Sequence, residues 1–466
     1  MIIIDPVACG LRAATCLLAL GLTVAAEPAE AAFRTGLPLT AQDRTVLTGY
    51  IAHAATQADK LTAEKLAERC AEAPEMFAWV EFPGLDCLLD AYELTGDTAH
   101  LERFLGAFAR FEALLQPCAD GHPGWLGKPI VPRRRADRPD LRIDELQMNF
   151  RAIAIAARWV RLARQQQAYG QAHAADIERL IGLMQQHLFP KWDARGFFVD
   201  LDAGGGVYRG LDYPLCNRES PGATLSFEKL SIVVDGLVQL HLATAQDDCL
   251  RRAIQLGTRF KRCLSLQDGC YAWMSWDPAG SWDADPAKDD AWRIGWIAPD
   301  PKGEWYAAAV SIAVRLHRLG LVFDDADMQR FIATQRTRCW NGDMEKPVYR
   351  TVAGAEVGSS KHITGRFLSY ELAAMDPLLG RLAFAGPHEA EVLANAGNAW
   401  KGGTALRPYV RAKHLDRDRA MEAAAGAAFL AREGNRAFHD RLRFAVVAPG
   451  RVTPLKPSQL AEAPAR

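Results

Sequence analysis

The segment SSKHITGRFLSYE places His362, Arg366 and Tyr370 at i, i+4 and i+8, the spacing of one helix face. An imidazole titrates near neutrality and suits proton transfer. A guanidinium presents a planar fork to a carboxylate. Together they suit removal of a proton made acidic by an adjacent carboxylate, as at C5 of a uronate sugar. At about 1.5 Å per residue, His362 and Tyr370 lie roughly 12 Å apart along a helix and cannot share one sugar carbon. His362 and Arg366, about 6 Å apart, can flank one sugar. Tyr370 then reads as a buried, hydrogen-bonded residue, with a catalytic acid drawn from Tyr306 or Tyr208. The competing reading of His362 and Arg366 is a polar network that holds a loop at a helix mouth.

A second group stands where apolar helices begin: Glu81 and Asp86; Asp144, Glu145 and Asn149; Glu228; Glu304 with Trp305. Carboxylates in a first turn complement the helix dipole, and Asp144 with Gln147 has capping-box spacing. Two of them converging on one mouth would also provide the carboxyl pair of a glycoside hydrolase. The run PRRRADRPDLR brings Arg133, Arg134 and Arg135 to the same end of a helix. It reads as a solvated loop or as a local positive field that attracts an anionic polymer.

Six of the twelve tryptophans fall in residues 271–306, a stretch broken by Pro, Gly and Asp. Trp273 and Trp276, nearest the preceding helix, are expected to pack the loop down. Trp292, Trp296 and Trp305 are expected to line sugar subsites. FDDADM, residues 323–328, reads as an Asp-capped helix start.

The elements that position these residues are helix pairs. Apolar residues recur at three and four in FPGLDCLLDAYELTGDTAHLERFLGAFARFEALL, then in four further pairs opening at IDELQMNF, LSFEKLSI, GEWYAAAV and SSKHITGR. First members are apolar nearly all round, and second members carry a polar face, which predicts buried helices alternating with surface ones. The expectation is an all-α fold, an (α/α)5–6 toroid of sequential hairpins. Its long irregular segments 117–143, 189–225, 265–302 and 338–360 would gather at one mouth, with short β-hairpins among them. Loops of that length in a compact domain are usually functional.

On this hairpin pattern over residues 42 to 435, and on phrases such as LLDAYELTGDTAHLERF, the chain resembles the (α/α)-toroid carbohydrate-active enzymes. These are polysaccharide lyases, unsaturated-uronyl hydrolases and uronyl epimerases. The resemblance implies an enzyme acting on an acidic polysaccharide, a lyase first, with His362 as base, Arg366 as carboxylate clamp and Tyr306 as acid. Glycoside or uronyl hydrolysis by two mouth carboxylates is the alternative. A glycan-binding or export-accessory protein is a third reading.

With 55 Lys and Arg against 56 Asp and Glu, the chain lacks the basic excess of a nucleic-acid binder. After Arg12, AATCLLALGLTVAA has the length of a signal-peptide core, and EPAEAAF offers cleavage near Ala31 or Ala32. Residues 1–32 are thus expected to be a signal peptide, and 33–435 one domain. Residues 436–466 are expected to be an extension with a disordered end. The mature protein would be periplasmic or secreted, and not membrane-bound. No Cys-x-x-Cys unit or ligand cluster points to a metal, though converging carboxylates could hold Ca²⁺. Cys263 with Cys270 is the preferred disulfide pair.

Overall fold

The computed structural model describes residues 33–128, 140, 142–210, 222–294, 299–300, 303–355, 366–385, 389–390, 406–415, 419–442, 448–449 and 456–458. Residues Thr35–Arg466 form one compact unit, separate from Met1–Arg34. The fold is all-α, with strands of two or three residues.

Helices start where short polar side chains can satisfy the first backbone N–H groups. Thr40 caps α1 (Ala41–Asp59) in a capping box with Asp43, and Thr62 caps α2 (Ala63–Glu72). A π-helical turn, Phe77–Glu81, leads into α3 (Phe82–Thr95). Gly96, at φ 76°, turns the chain into α4 (Ala99–Glu112). There follow α5 (Leu146–Gln165), α6 (Gln167–Ala172), α7 (Ala174–Gly182) and α8 (Pro190–Ala194). A hairpin comes next, α9 (Phe227–Thr244) with α10 (Asp247–Arg262). The next is α11 (Gly303–Arg318) with α12 (Asp325–Thr337), the latter capped by Asp324 and Asp327, as FDDADM predicts. Then come α13 (Tyr370–Ala373) and α14 (Pro377–Phe384), the latter capped by Asp376. The last three described helices are α15 (Leu406–His414), α16 (Arg419–Ala431) and α17 (Glu433–Asp440).

The first members of the hairpins pack in chain order, α3 on α5, α5 on α9, α9 on α11, α11 on α13 and α13 on α15. The last, α15, packs on α3. In α5 nearly every side chain from Leu146 to Ala163 is buried. Three antiparallel hairpins dress the connections: β1 (Gln116–Pro117) with β2 (Pro123–Gly124), β3 (Phe198–Asp200) with β4 (Gly206–Tyr208), and β5 (Ser265–Gln267) with β6 (Cys270–Ala272). The last turns through Asp268 and Gly269, both at positive φ, the conformation of a two-residue primed turn.

Several expectations require correction. The inner helices are buried but not uniformly apolar. Asp86 and Asp90 of α3 and Arg158 of α5 are buried with them. Arg158 donates to Asp86 at 2.5 Å and to Asp90 at 2.7 Å, and it also pairs with Glu93. The helix expected through His362, Arg366 and Tyr370 is absent where that stretch is described, from Arg366 on. Residues 366–369 are non-helical, and α13 begins only at Tyr370, because the Ser369 side chain caps it by accepting from Leu372 N. Arg366 and Tyr370 therefore do not share a helix face. No disulfide joins Cys263 to Cys270. The β5–β6 hairpin turns Cys270 toward α12, where its Sγ lies 3.3 Å from Thr337 Oγ1. The expected domain end at 435 falls inside α17. Beyond it, β7 (Ala448–Pro449) pairs in parallel with β5, so part of the extension belongs to the fold.

Among the described residues no helix is long and apolar enough to cross a membrane.

Candidate functional site

The Trp-rich loop is held by one carboxylate. Asp283, fully buried, accepts from Thr224 N at 2.7 Å, Thr224 Oγ1 at 2.8 Å and Ala279 N at 2.7 Å. Trp276 is fully buried and donates its indole N–H to Thr224 O at 2.7 Å. Trp273 is buried and stacks on Tyr306 with centroids 5.4 Å apart. Both rings therefore serve to pack the loop. Trp282, Trp292 and Trp305 are half-buried. The Trp282 indole donates to Thr224 Oγ1 at 3.1 Å, and Trp292 meets Trp276 edge-on at 6.3 Å.

Besides Asp144 and Glu145 at the start of α5, three buried carboxyl groups lie at the N-terminal ends of inner helices among the described residues. Glu228 stands in the first turn of α9, 8% exposed. The α9 turn is tied to the loop by Phe227 N donating to Ser275 O at 3.0 Å, and the loop doubles back with Met274 bridged to Pro299. That return delivers Asp300, 1% exposed, three residues before α11. Among the described residues no donor reaches either Asp300 oxygen in hydrogen-bond geometry, and the buried Trp273 indole nitrogen likewise meets no acceptor. Burial pushes the Asp300 carboxyl well above the ordinary range, against the pull of the Trp273 indole, and the charge of Glu228 adds to the rise. Burial thus favours the protonated form of Asp300, within electrostatic reach of a second carboxylate. Glu81, closing the π-turn before α3, is the third. Burial raises it to about 7, opposed by Arg69 at 3.3 Å.

Arg366 is brought to this region by backbone packing. A Cβ at Gly303 would lie 1.8 Å from Arg366 O, so only glycine lets the start of α11 close onto that segment. Gln335 Oε1 secures the contact, accepting from Ser369 N at 3.0 Å and from Tyr306 Oη at 2.9 Å.

The remaining expected site residues are placed as follows. Tyr306 is 0% exposed and its hydroxyl is committed to Gln335, so it is not placed to protonate a polymer. Tyr208 is equally buried and bonded to Arg252 at 3.0 Å. Asp144 is fully buried and paired within the fold. Its Oδ2 takes Lys191 at 2.7 Å and Arg195 at 2.8 Å, and its Oδ1 takes Asn149 at 2.8 Å. Asn149 also donates to Glu145 O at 2.7 Å and is fully buried. The capping box of Asp144 with Gln147 does not form, because Glu145 occupies the N-cap, itself buried. Glu304 is exposed on the first turn of α11. His362, Trp296, Arg133, Arg134 and Arg135 lie outside the described residues.

Asp300 was not anticipated. A single Asp in APDPKGEW carries no periodic signal, and its burial follows from the Met274–Pro299 bridge. Among the described residues no group of three or more His, Cys, Asp or Glu is arranged to hold a metal ion. No known protein family matches the chain, and no characterised protein or solved structure matches it either.

Proposed function

We propose that the chain is an exported enzyme that cleaves an acidic, uronate-containing polysaccharide, and that hydrolysis by Asp300 and Glu228 is its chemistry. The observation that carries this reading is a fully buried carboxyl group, pushed toward its protonated form within electrostatic reach of a second buried carboxylate, at the end of a tryptophan-rich loop. In such a pair the neutral acid gives its proton to the leaving glycosidic oxygen. The ionised partner activates water or attacks the sugar, and water completes the cleavage. Glu81, raised to about 7, is a further buried acid at an inner-helix start with a proton to give near neutrality.

The cyclic order of inner-helix packing, ending with α15 on α3, supports an (α/α) toroid with these acids at the inner-helix starts. The apolar run after Arg12 supports export.

One observation favours a second reading, β-elimination. Arg366 is fixed by its backbone against Gly303, close to Asp300 in the chain. There it would neutralise a uronate carboxylate while His362 takes the C5 proton.

Incubation with alginate, pectate, hyaluronan and heparin separates the readings. Hydrolysis releases reducing ends without ultraviolet absorbance, whereas elimination yields both. Binding without new ends on any polymer would sink both enzyme readings and leave a glycan-binding protein.

A further inference from the structure

We infer that Arg151, inside the ring of inner helices, anchors the carboxylate of an acidic sugar. The inference rests on the reading of the chain as a toroidal, polysaccharide-cleaving enzyme and names a substrate contact for it.

Arg151 stands in the second turn of α5. Between Leu146 and Ala163 it is the one side chain of that helix that is not buried, and it is 21% exposed. The charges around it mark its position. Asp86 of α3, Asp235 of α9, Arg315 of α11 and Arg407 of α15 all lie within its electrostatic reach. Four other inner helices thus turn charged groups toward one side chain, as an interior position in the ring requires. Asp235, Arg315 and Arg407 are half-buried as well, so accessible space remains between the helices that carry them. The backbones of α5 and α9 approach closely beside Arg151 and Asp235. A Cβ at Gly236 would lie 2.6 Å from Phe150 O.

Arg151 differs from the other arginines of this interior. Arg158, Arg315, Arg407 and Arg411 each donate to a carboxylate at 3.1 Å or less. Among the described residues Arg151 makes no hydrogen bond. Its ion pair with Asp235 Oδ2 spans 3.8 Å, too far for one, and Asp235 also pairs with Arg315 at 3.1 Å. Arg151 Nε is cut off from solvent without an acceptor, whereas its two terminal nitrogens are not. Burial and the repulsion of Arg407 and Arg315 outweigh the support of Asp235 and Asp86 for its charge. A partly desolvated guanidinium in that position gains from an acceptor brought by a ligand.

A planar carboxylate matches the guanidinium fork. Asp86 and Asp235 repel any anion that arrives, and the repulsion grows with its charge. One negative charge therefore suits the place better than the two of a phosphate group. The α9 helix links this place to the proposed acids. Glu228 and Asp235 stand at i and i+7, on one helix face, about 10 Å apart along the axis. A uronate held at Arg151 thus lies about two helix turns from Glu228, and further sugars of the same chain extend toward the bond to be cleaved.

The test is calorimetric titration of the full protein with a uronate oligosaccharide, a neutral oligosaccharide of equal length and inorganic sulfate. The wild type should prefer the uronate to the neutral sugar by about tenfold, the scale of one charge-assisted hydrogen bond. Arg151→Gln should abolish that preference and keep its affinity for the neutral sugar, which also reports that it is folded. Where Arg151→Gln lowers the melting temperature, Arg151→Lys decides. It keeps the charge, lacks the fork, and should still lose most of the preference. Equal binding of the two sugars by the wild type, or full preference in either variant, overturns the site. Sulfate bound more tightly than the uronate, and through Arg151, overturns the sugar as its ligand. An Arg151-dependent preference without turnover of any polymer would sink the enzyme reading and leave the site standing. Turnover whose KM ignores Arg151→Gln would do the reverse.

Discussion

Arg407 Nε and Asp90 Oδ2 lie 3.1 Å apart although 317 residues separate them in the chain. Asp90 is completely buried and also accepts from Arg158 at 2.7 Å, Arg411 at 2.8 Å and Tyr50 at 2.7 Å. Burial alone would raise the Asp90 carboxyl. Arg158, Arg407 and Arg411 outweigh it and hold the group far below the usual carboxylate range.

Removing Asp90 leaves three guanidinium groups without their shared acceptor. Asp90→Ala should cost about 3–5 kcal/mol, read as a lower midpoint in urea. The folded pKa lies below the unfolded one, so the stability that Asp90 contributes is fully present above the unfolded value of about 3.9. It is lost as pH falls through that value toward the folded pKa. Asp90→Asn should therefore flatten the acid limb of the melting-temperature profile. An unchanged limb would assign acid unfolding to other groups.

Glu81 has the opposite sign. Its folded pKa of about 7 exceeds its ordinary 4.5, so the native state holds a proton that the unfolded chain releases. Its contribution to stability declines as pH rises from 4.5 to about 7 and is constant above. The full effect is on the order of 3 kcal/mol. Glu81→Gln should thus gain on the wild type across that window, with no relative change at more acid pH. Parallel pH–stability curves for the two proteins would show that Glu81 ionises normally.

Asp300→Asn and Glu228→Gln should each lower turnover of the cleaved polymer by about 10²–10⁴, the scale of general acid–base catalysis. Because burial disfavours the charged form of Asp300, the amide relieves that cost, and the melting temperature should hold or rise. Full activity in Asp300→Asn would remove it from the chemistry.

The tryptophans divide by burial. Trp276→Ala empties a fully buried site and should destabilise the fold by about 3–5 kcal/mol. Trp292→Ala, at a half-buried ring, should leave the melting temperature within a few degrees and weaken polymer binding measured by affinity electrophoresis.

Much of the helical plan was legible because periodicity and caps are local signals. The α3–α4 turn at Gly96 and the Asp324 cap of α12 follow from single short stretches. The buried charges were legible in part. Asp86, Asp90 and Glu93 stand at one-face spacing on α3, and Arg151 and Arg158 do so on α5. Reading the inner helices as uniformly apolar hid them. The Arg366–Tyr370 spacing misled because helical periodicity cannot reveal that Ser369 starts a new helix. Asp144 was invisible as a structural ion because Lys191 and Arg195 reach it from a distant segment. The burial of Asp300 is a product of loop closure, which no local pattern encodes.

The pairing of α15 with α3 also sets an order of events in time. During synthesis the carboxylates of Asp86 and Asp90 emerge long before Arg407 and Arg411. Until those arginines arrive, Arg158 is the partner among the described ion pairs that is already present. A contact spanning 317 residues also carries a large loop-closure cost, and folds dominated by such contacts form slowly. A chain released without its last quarter would hold an α3–α5 seam with unsatisfied acids, a species prone to aggregation rather than a smaller working protein. The seam between α3 and α15 thus couples the pairing of two distant segments to the charge balance of the core.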